Sequence, residues 1–281
     1  MENKKYYAQR EKTYLNGTLF PFIKVGMQKV NLTPTVDVVN GEKVVTPNAS
    51  VYIYDTGGPY TDPDIQTDAR KGIEKIRKQW IQMRKEEGYP VGQMACARAG
   101  IITPEMKAVA VKEYRTEEEI CDLVAKGQVA ICANKLHTCI DPNGVGSMLR
   151  TKINVNLGVS RDCKDYDIEM EKVMAAVNMG AEAIMDLSSH GNTQPFRRKL
   201  TSECPAMIGT VPVYDSVIHY QRDLATLTAK DFIDVVRLHA EDGVDFVTLH
   251  CGITRKTIEQ IRKHKRKMNI VSRGGSLVFA W

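Results

Sequence analysis

Apolar residues follow two regimes along the chain. Over the first 60 residues they form short β-prone runs, Lys43-Val-Val and Ser50-Val-Tyr-Ile-Tyr54, within otherwise irregular sequence. These runs end at a dense turn signal, Asp55-Thr-Gly-Gly-Pro-Tyr-Thr-Asp-Pro63. Ile65, Ala69, Ile73, Ile76, Trp80 and Met83 then recur at helical spacing, which predicts one long amphipathic helix stopping near Gly88. Thr103 before Pro104 reads as an N-cap followed by the first helical position. Thr116-Glu-Glu-Glu119 has the form of a capping box ahead of a short helix ending at Gly127.

From about Leu149 the pattern becomes regular. Five apolar β-prone runs appear: Thr151–Leu157, Ala183–Leu187, Met207–Val211, Phe246–His250 and Asn269–Ser272. A helix carrying Ile168, Val173, Ala176 and Val177 separates the first two. Another, starting at Thr228-Ala-Lys-Asp231 and burying Phe232, Val235 and Val236, precedes the fourth and ends at Gly243. Short apolar runs alternating with helices imply βαβ units and a parallel sheet covered on both faces. A (β/α)8 barrel needs eight such strands and typically about 250 residues. The expected fold is therefore α/β, with a first domain over 1–146 and a second over 147–281. The second is either an open doubly wound sheet or the first five or so units of a barrel.

Composition narrows the function classes. The chain is 43% hydrophobic and 26% charged, the balance of a globular protein. It contains no apolar run long enough to span a bilayer, and Met1-Glu-Asn-Lys-Lys-Tyr-Tyr lacks a signal-peptide core, so a cytoplasmic protein is expected. Lys plus Arg exceed Asp plus Glu by 39 to 34, but seven basic residues are concentrated between Arg255 and Lys267. No aromatic residue interleaves them, so a solvated helix or loop is expected there rather than a nucleic-acid surface. The seven cysteines are odd in number and form no Cys-x-x-Cys pair, which disfavours zinc ribbons and disulfide frameworks. His137, His190, His219, His239 and His264 lack HExxH or related spacing, and no P-loop, GxGxxG or GxSxG motif is present.

Parallel sheets present ligands at the C-terminal ends of their strands. The polar groups there are Asn154 and Asn156 on the first run, and Met185, Asp186 and Ser188 on the second. Tyr214 follows the third, His250 ends the fourth, and Ser272-Arg273-Gly274-Gly275 closes the fifth. Such a ring suits a polar, phosphorylated small molecule, with Arg273 and the Gly274-Gly275 amides on the phosphate. Each member also has a plain alternative: a structural histidine, a loop-capping asparagine, a core methionine, a packing tyrosine. Only their coincidence at one sheet end argues for a site.

Several segments together resemble phosphomethylpyrimidine synthase. They are Tyr54-Asp-Thr-Gly-Gly-Pro-Tyr-Thr-Asp-Pro63, Ala97-Arg-Ala-Gly-Ile-Ile-Thr-Pro-Glu-Met106, Lys152-Ile-Asn-Val-Asn-Leu-Gly158, Met185-Asp-Leu-Ser188, Ile208-Gly-Thr-Val-Pro-Val-Tyr214, His250-Cys-Gly252 and Ile270-Val-Ser-Arg-Gly-Gly-Ser276. The resemblance implies a radical S-adenosylmethionine enzyme of thiamine biosynthesis, a lyase and homodimer built on a TIM barrel. Its family converts 5-aminoimidazole ribonucleotide to 4-amino-5-hydroxymethyl-2-methylpyrimidine phosphate. By motif, Asn156, Met185, Tyr214, His250, Ser272, Arg273 and Gly274 match positions that bind the ribonucleotide; no catalytic residue and no metal ligand carries over. The family's Cys-x-x-Cys-x-x-x-x-Cys segment for its 4Fe–4S cluster, its Asp-Gly-Leu-Arg stretch and its zinc-binding histidine pair have no counterpart in this sequence. The usual Ala-Asn-Ile-Asn-His-Pro segment is replaced by Ala133-Asn-Lys-Leu-His-Thr138. Without three thiolates there is no ligand set for the cluster, so the chain alone is expected to be inactive. Two further readings stand beside this one: the related 5-hydroxybenzimidazole synthase, which acts on the same nucleotide, and a non-catalytic nucleotide-binding or assembly fragment. The long region from Tyr14 to Tyr54 favours the thiamine enzyme over the benzimidazole one.

Overall fold

The computed structural model describes residues 10–16, 23–68, 70–264, 267–268 and 270–281. Its first strands are β1 (Arg10–Asn16), β2 (Lys24–Val30), β3 (Thr35–Val39), β4 (Glu42–Thr46) and β5 (Val51–Tyr54). All pair antiparallel, in a β1-β2-β5 sheet and a separate β3-β4 hairpin. Ile23, Val25, Met27 and Tyr54 turn inward and pack on Trp80 and Ala108.

Trp80 belongs to α1 (Arg77–Glu86), which is much shorter than its apolar spacing predicts. Residues 65–76 instead form an irregular arm with an isolated bridge between Asp68 and Gly72. Gly72 takes φ 69° and lies so close to the later helix over Gln194–Glu203 that a β-carbon would fall 2.6 Å from the Ser202 carbonyl oxygen. A left-handed residue pinned against a neighbouring backbone cannot continue a helix. Ile65, 42% exposed, is no part of a buried stripe, and Ala69 lies outside the described residues.

The local cap signals behave as expected. After α2 (Gln93–Arg98), Thr103 Oγ1 accepts the Met106 amide to start α3 (Pro104–Glu113). Thr116 and Glu119 form a reciprocal capping box on α4 (Glu117–Ala125). Met106, Val109, Ile120 and Val124 interlock with Val129 of β6 (Val129–Ile131), which pairs with β7 (Gly144–Gly146).

The remaining elements are β8 (Asn154–Leu157), α5 (Tyr166–Asn178), β9 (Ala183–Asp186), α6 (Gln194–Glu203), β10 (Met207–Thr210), α7 (Pro212–Tyr220), α8 (Ala229–Glu241), β11 (Phe246–Val247), α9 (Arg255–Lys263) and α10 (Arg273–Ala280). The four strands make a parallel sheet in the order β11-β10-β9-β8. This is the mixed α/β architecture expected. Val155, Leu157, Ile184 and Ile208 point to one face and pack on Val173 and Val177 of α5 and Phe196 and Leu200 of α6. Ile168 of α5 is turned to solvent instead, 44% exposed, and in α8 only Val235 of the predicted apolar trio is fully buried.

Two strand expectations fail. The fourth run extends only over Phe246–Val247, with Thr248 to His250 leaving the sheet as coil. The fifth is not a strand: Asn269 lies outside the described residues, Ile270 and Val271 are coil, and the Ser272 hydroxyl accepts the Gly275 amide as the N-cap of α10. A four-residue apolar run cannot by itself distinguish a strand from the approach to a helix. Here the capping hydroxyl decides for the helix. None of the described helices is long and apolar enough to cross a membrane.

Buried polar contacts tie the early segments to the parallel sheet. Asp55 collects Lys12 Nζ, Gln28 Nε2 and Thr61 Oγ1, each at 2.6 Å, and so shapes the Gly-Gly-Pro turn. From that turn Thr56 donates to the Val177 carbonyl and Tyr60 to the Glu203 carbonyl, stapling it to the ends of α5 and α6. Arg77, fully buried, pairs with Glu105 at 3.0 Å and donates to the carbonyls of Asn134 and His137.

That divergent loop is anchored by His137. Its Nδ1 lies 2.7 Å from Asp245 Oδ2 and its Nε2 2.8 Å from the Cys204 carbonyl. Both partners accept, so both ring nitrogens donate and the ring is imidazolium. Burial alone would lower its pKa, but the Asp245 charge and hydrogen bond outweigh that and push it up to about 10. A raised folded pKa contributes stability that is complete below the ordinary value of 6.5 and lost as pH rises through about 10. The stability advantage of wild type over His137→Gln, measured by urea unfolding, is therefore expected to shrink steadily across that window. A pH-independent difference would contradict the charged assignment.

Candidate functional site

The face of the sheet turned away from α5 and α6 is polar at one edge and apolar at its centre. Side chains alternate along a strand, so Asn154 and Asn156 of β8 lie opposite Val155 and Leu157, and both asparagines are exposed. Asn156 is in register with Met185 of β9, and Met185 with Gly209 of β10. Gly209 is bare for a reason: a β-carbon there would fall inside the Phe246 ring, 2.9 Å from Cε1 and closer to its other edge atoms. Phe246 thus lies across β10 as a floor, touching Ala183 and Met207 on one side and Met185 and Val211 on the other.

The C-terminal ends of the strands close a wall over this floor. Pro212 starts α7 directly after β10 and sets Tyr214 in its first turn, packed against the Met185 cluster together with Leu277 of α10. The Arg273 guanidinium stacks 4.8 Å from the Tyr214 ring centroid. Behind it, Gly274 touches the imidazole of His250 so closely that no side chain fits between them. His250 Nδ1 is buried and has no hydrogen-bond partner among the described residues. A buried imidazole nitrogen left unsatisfied costs about 1–3 kcal/mol, which a ligand donor or acceptor would recover.

Pairwise neighbours link six of the seven residues picked out by sequence into a candidate cup: Asn156 beside Met185, Met185 with Tyr214, Tyr214 under Arg273, and Gly274 against His250. Ser272 sits beside them, but its hydroxyl is committed to capping α10. The Gly275 amide is engaged by that cap, so it is not free for a phosphate as the glycine-turn reading supposes. Asp186 and Ser188 are turned out of the cup. Asp186, 4% exposed, faces the helix layer beside Tyr166, Arg197 and Asp215, and burial pushes its pKa up to about 6.

Sequence reasoning missed Phe246 as floor, although a glycine inside an apolar strand signals a close approach. It also missed the charged network under the sheet. Arg197 bonds Asp215 at 2.9 Å and Asp242 at 3.0 Å, while His239 spans from Thr210 to Asp215.

Residues 92–281 match the Radical SAM ThiC family, and residues 6–87 match the ThiC-associated domain. The chain belongs to the radical SAM ThiC family. Proteins named phosphomethylpyrimidine synthase from Alkaliphilus oremlandii and Clostridium novyi are each 57% identical over 189 residues, 67% of this chain and 43% of theirs. One of the same name from Clostridioides difficile is 54% identical over 189 residues, covering 44% of its length. The chain thus matches less than half the length of these relatives.

Members of a radical SAM family work with S-adenosylmethionine and an iron–sulfur cluster, a group held by cysteine thiolates. The cysteines of this ThiC-family chain do not converge in that way. Cys96 and Cys121 share one apolar core, Cys139 lies beside Cys204 in another place, Cys132 is half-buried, and Cys163 and Cys251 are exposed. Burial pushes the Cys204 thiol up to about 12, the reverse of what a metal thiolate requires. Among the described residues no group of three or more His, Cys, Asp or Glu side chains could hold a metal ion. The described residues therefore offer no ligand set that fits the cluster.

Proposed function

We propose that this chain carries the ribonucleotide-binding part of a phosphomethylpyrimidine synthase. The enzyme converts 5-aminoimidazole ribonucleotide to 4-amino-5-hydroxymethyl-2-methylpyrimidine phosphate in thiamine biosynthesis, in the cytoplasm and as a homodimer. Residues 1–146 form its N-terminal α/β unit. Residues 147–281 contribute the first units of a (β/α)8 barrel, with the helices outside and the cup inside. The reading rests above all on the cup itself, where a buried, unpartnered His250 nitrogen and the stacked Arg273 stand over an apolar floor at the C-terminal end of a parallel sheet. The 57% identical relatives named phosphomethylpyrimidine synthase support the pyrimidine reading.

Each group has a task in this reading. Arg273 offers a planar pair of N–H donors to the phosphate, and the Gly274 amide at the start of α10 adds a backbone donor. Met185, Tyr214 and Phe246 receive the flat imidazole, and His250 Nδ1 meets one of its polar atoms. The Asn156 amide reaches a ribose hydroxyl. Calorimetry of the 281-residue chain with 5-aminoimidazole ribonucleotide tests this. Arg273→Ala is expected to weaken binding by roughly 10–30-fold, as befits a charge-assisted phosphate contact. Equal affinity in wild type and Arg273→Ala would remove the phosphate assignment.

A further inference from the structure

The two turns that follow β8 and β9 are locked to each other by more than the sheet. Past the last strand residues, the Leu187 amide still reaches the Leu157 carbonyl at 2.7 Å, and the Ser189 amide reaches the Val159 carbonyl at 3.0 Å. Asp186 Oδ1 accepts the Ser188 amide at 2.9 Å, and Ser188 Oγ accepts the Val159 amide at 3.1 Å. From the other side, the buried Glu169 carboxylate accepts the Gly158 amide at 2.8 Å. Gly158 runs at φ 135°, and a β-carbon there would lie 2.5 Å from the Ser188 amide and 2.9 Å from Asp186 Oδ1. Asn156 and Met185 stand one or two residues before these turns, on the opposite side of the backbone.

We propose that Asp186 is a positioning residue: through Ser188 it clamps the turn after β8 onto the turn after β9 and so holds Asn156 and Met185 in place on the cup. The role rests on the ribonucleotide reading above, because it assigns Asp186 an effect on that ligand without contact to it. The carboxylate is 4% exposed, and nothing in its surroundings suggests a second task. The charged and titratable groups facing it are Arg197 of α6, Asp215 of α7 and Tyr166 of α5, with Glu169 on the far side of Gly158. Burial dominates their sum and raises Asp186 to about 6, against the opposing hydrogen bonds from Ser188 and the charge of Arg197. As pH falls through that value the acceptor becomes neutral and its grip on the Ser188 amide weakens.

Two measurements on the 281-residue chain decide the point. Hydrogen exchange should show protection at Val159 and Ser188 falling as pH drops from 7.5 to 5, after correction for intrinsic rates. Asp186→Asn should show the low-protection behaviour at every pH. Calorimetry with 5-aminoimidazole ribonucleotide should find Asp186→Asn about 5–10-fold weaker than wild type at pH 7.5, the loss of one charge-assisted hydrogen bond. The two proteins should converge near pH 5; the ligand's own phosphate titration affects both alike. Ser188→Ala, which leaves the buried charge in place, should weaken binding in the same direction. Protection and affinity in Asp186→Asn that track wild type at all pH values would overturn the clamp. A wild-type chain that shows the exchange change but holds no ribonucleotide would overturn the ligand assignment, and the positioning role with it.

Discussion

Arg197→Met is expected to cost the chain about 3–5 kcal/mol of unfolding free energy, the penalty for removing one partner of a buried ion pair. Arg197 of α6 is 1% exposed and serves two carboxylates, Asp215 on α7 and Asp242 at the C-cap of α8. Without it, Asp242 retains only Arg198 and Gln194 at its exposed edge, and Asp215 retains Thr193 and His239. Methionine replaces the volume of the side chain but none of the charge. The loss should also depend on pH. His239 donates from Nε2 to Asp215 and accepts the Thr210 hydroxyl at Nδ1, so it is neutral in the wild type. Burial holds its pKa down, and the Arg197 charge adds to that effect. Removing the arginine lets His239 take up a proton and partly replace the lost cation, so the cost should be smaller at pH 6 than at pH 8. Urea unfolding at the two pH values measures both quantities. A loss under 1 kcal/mol would mean that the network is solvated and weak.

What could be read from the sequence divides along the range of the interactions. The capping box at Thr116 and the helix start at Thr228 are set within three residues, so spelling alone predicts them, and the structure forms a reciprocal box at each. The strand-end rule needs only the order of the elements, and it places Asn156 on β8 and Met185 on β9, whereas the strand it expects before Arg273 and Gly274 is instead the approach to α10. The failures are tertiary. The apolar spacing of residues 65–83 is genuinely helical, but Gly72 is held left-handed against the Ser202 carbonyl of an element 130 residues away, and the helix forms only from Arg77. The run before Ser272 is apolar enough for a strand, but a single capping hydroxyl sends it into α10. The Arg197 network joins partners 18, 24 and 45 positions apart on separate helices, a pattern with no local signature. The ends of β8 and β9 are legible because element order places them. The buried charges beneath the sheet are not.

Gly274→Ala is expected to abolish most ribonucleotide affinity, by roughly 100-fold or about 3 kcal/mol, while leaving the fold intact. The added methyl would fall inside the His250 ring, 2.5 Å from Nδ1 and nearer still to Nε2 and Cε1. The ring is a side chain and can swing away, so the backbone need not yield. What is lost is the buried position of Nδ1, and with it the contact that the ligand completes. Alanine within a helix is intrinsically better than glycine by up to about 1 kcal/mol, so the melting temperature should hold or rise. That split between affinity and stability marks a local steric effect on the site. Gly275→Ala is the matched control, because its nearest neighbours would stand at 3.3 Å and only a small adjustment is needed. The double variant His250→Ala/Gly274→Ala should bind no worse than His250→Ala alone, since the methyl then has nothing left to displace. Additive losses in the double variant would mean that the added methyl obstructs the ligand itself, and that the His250 contact is incidental.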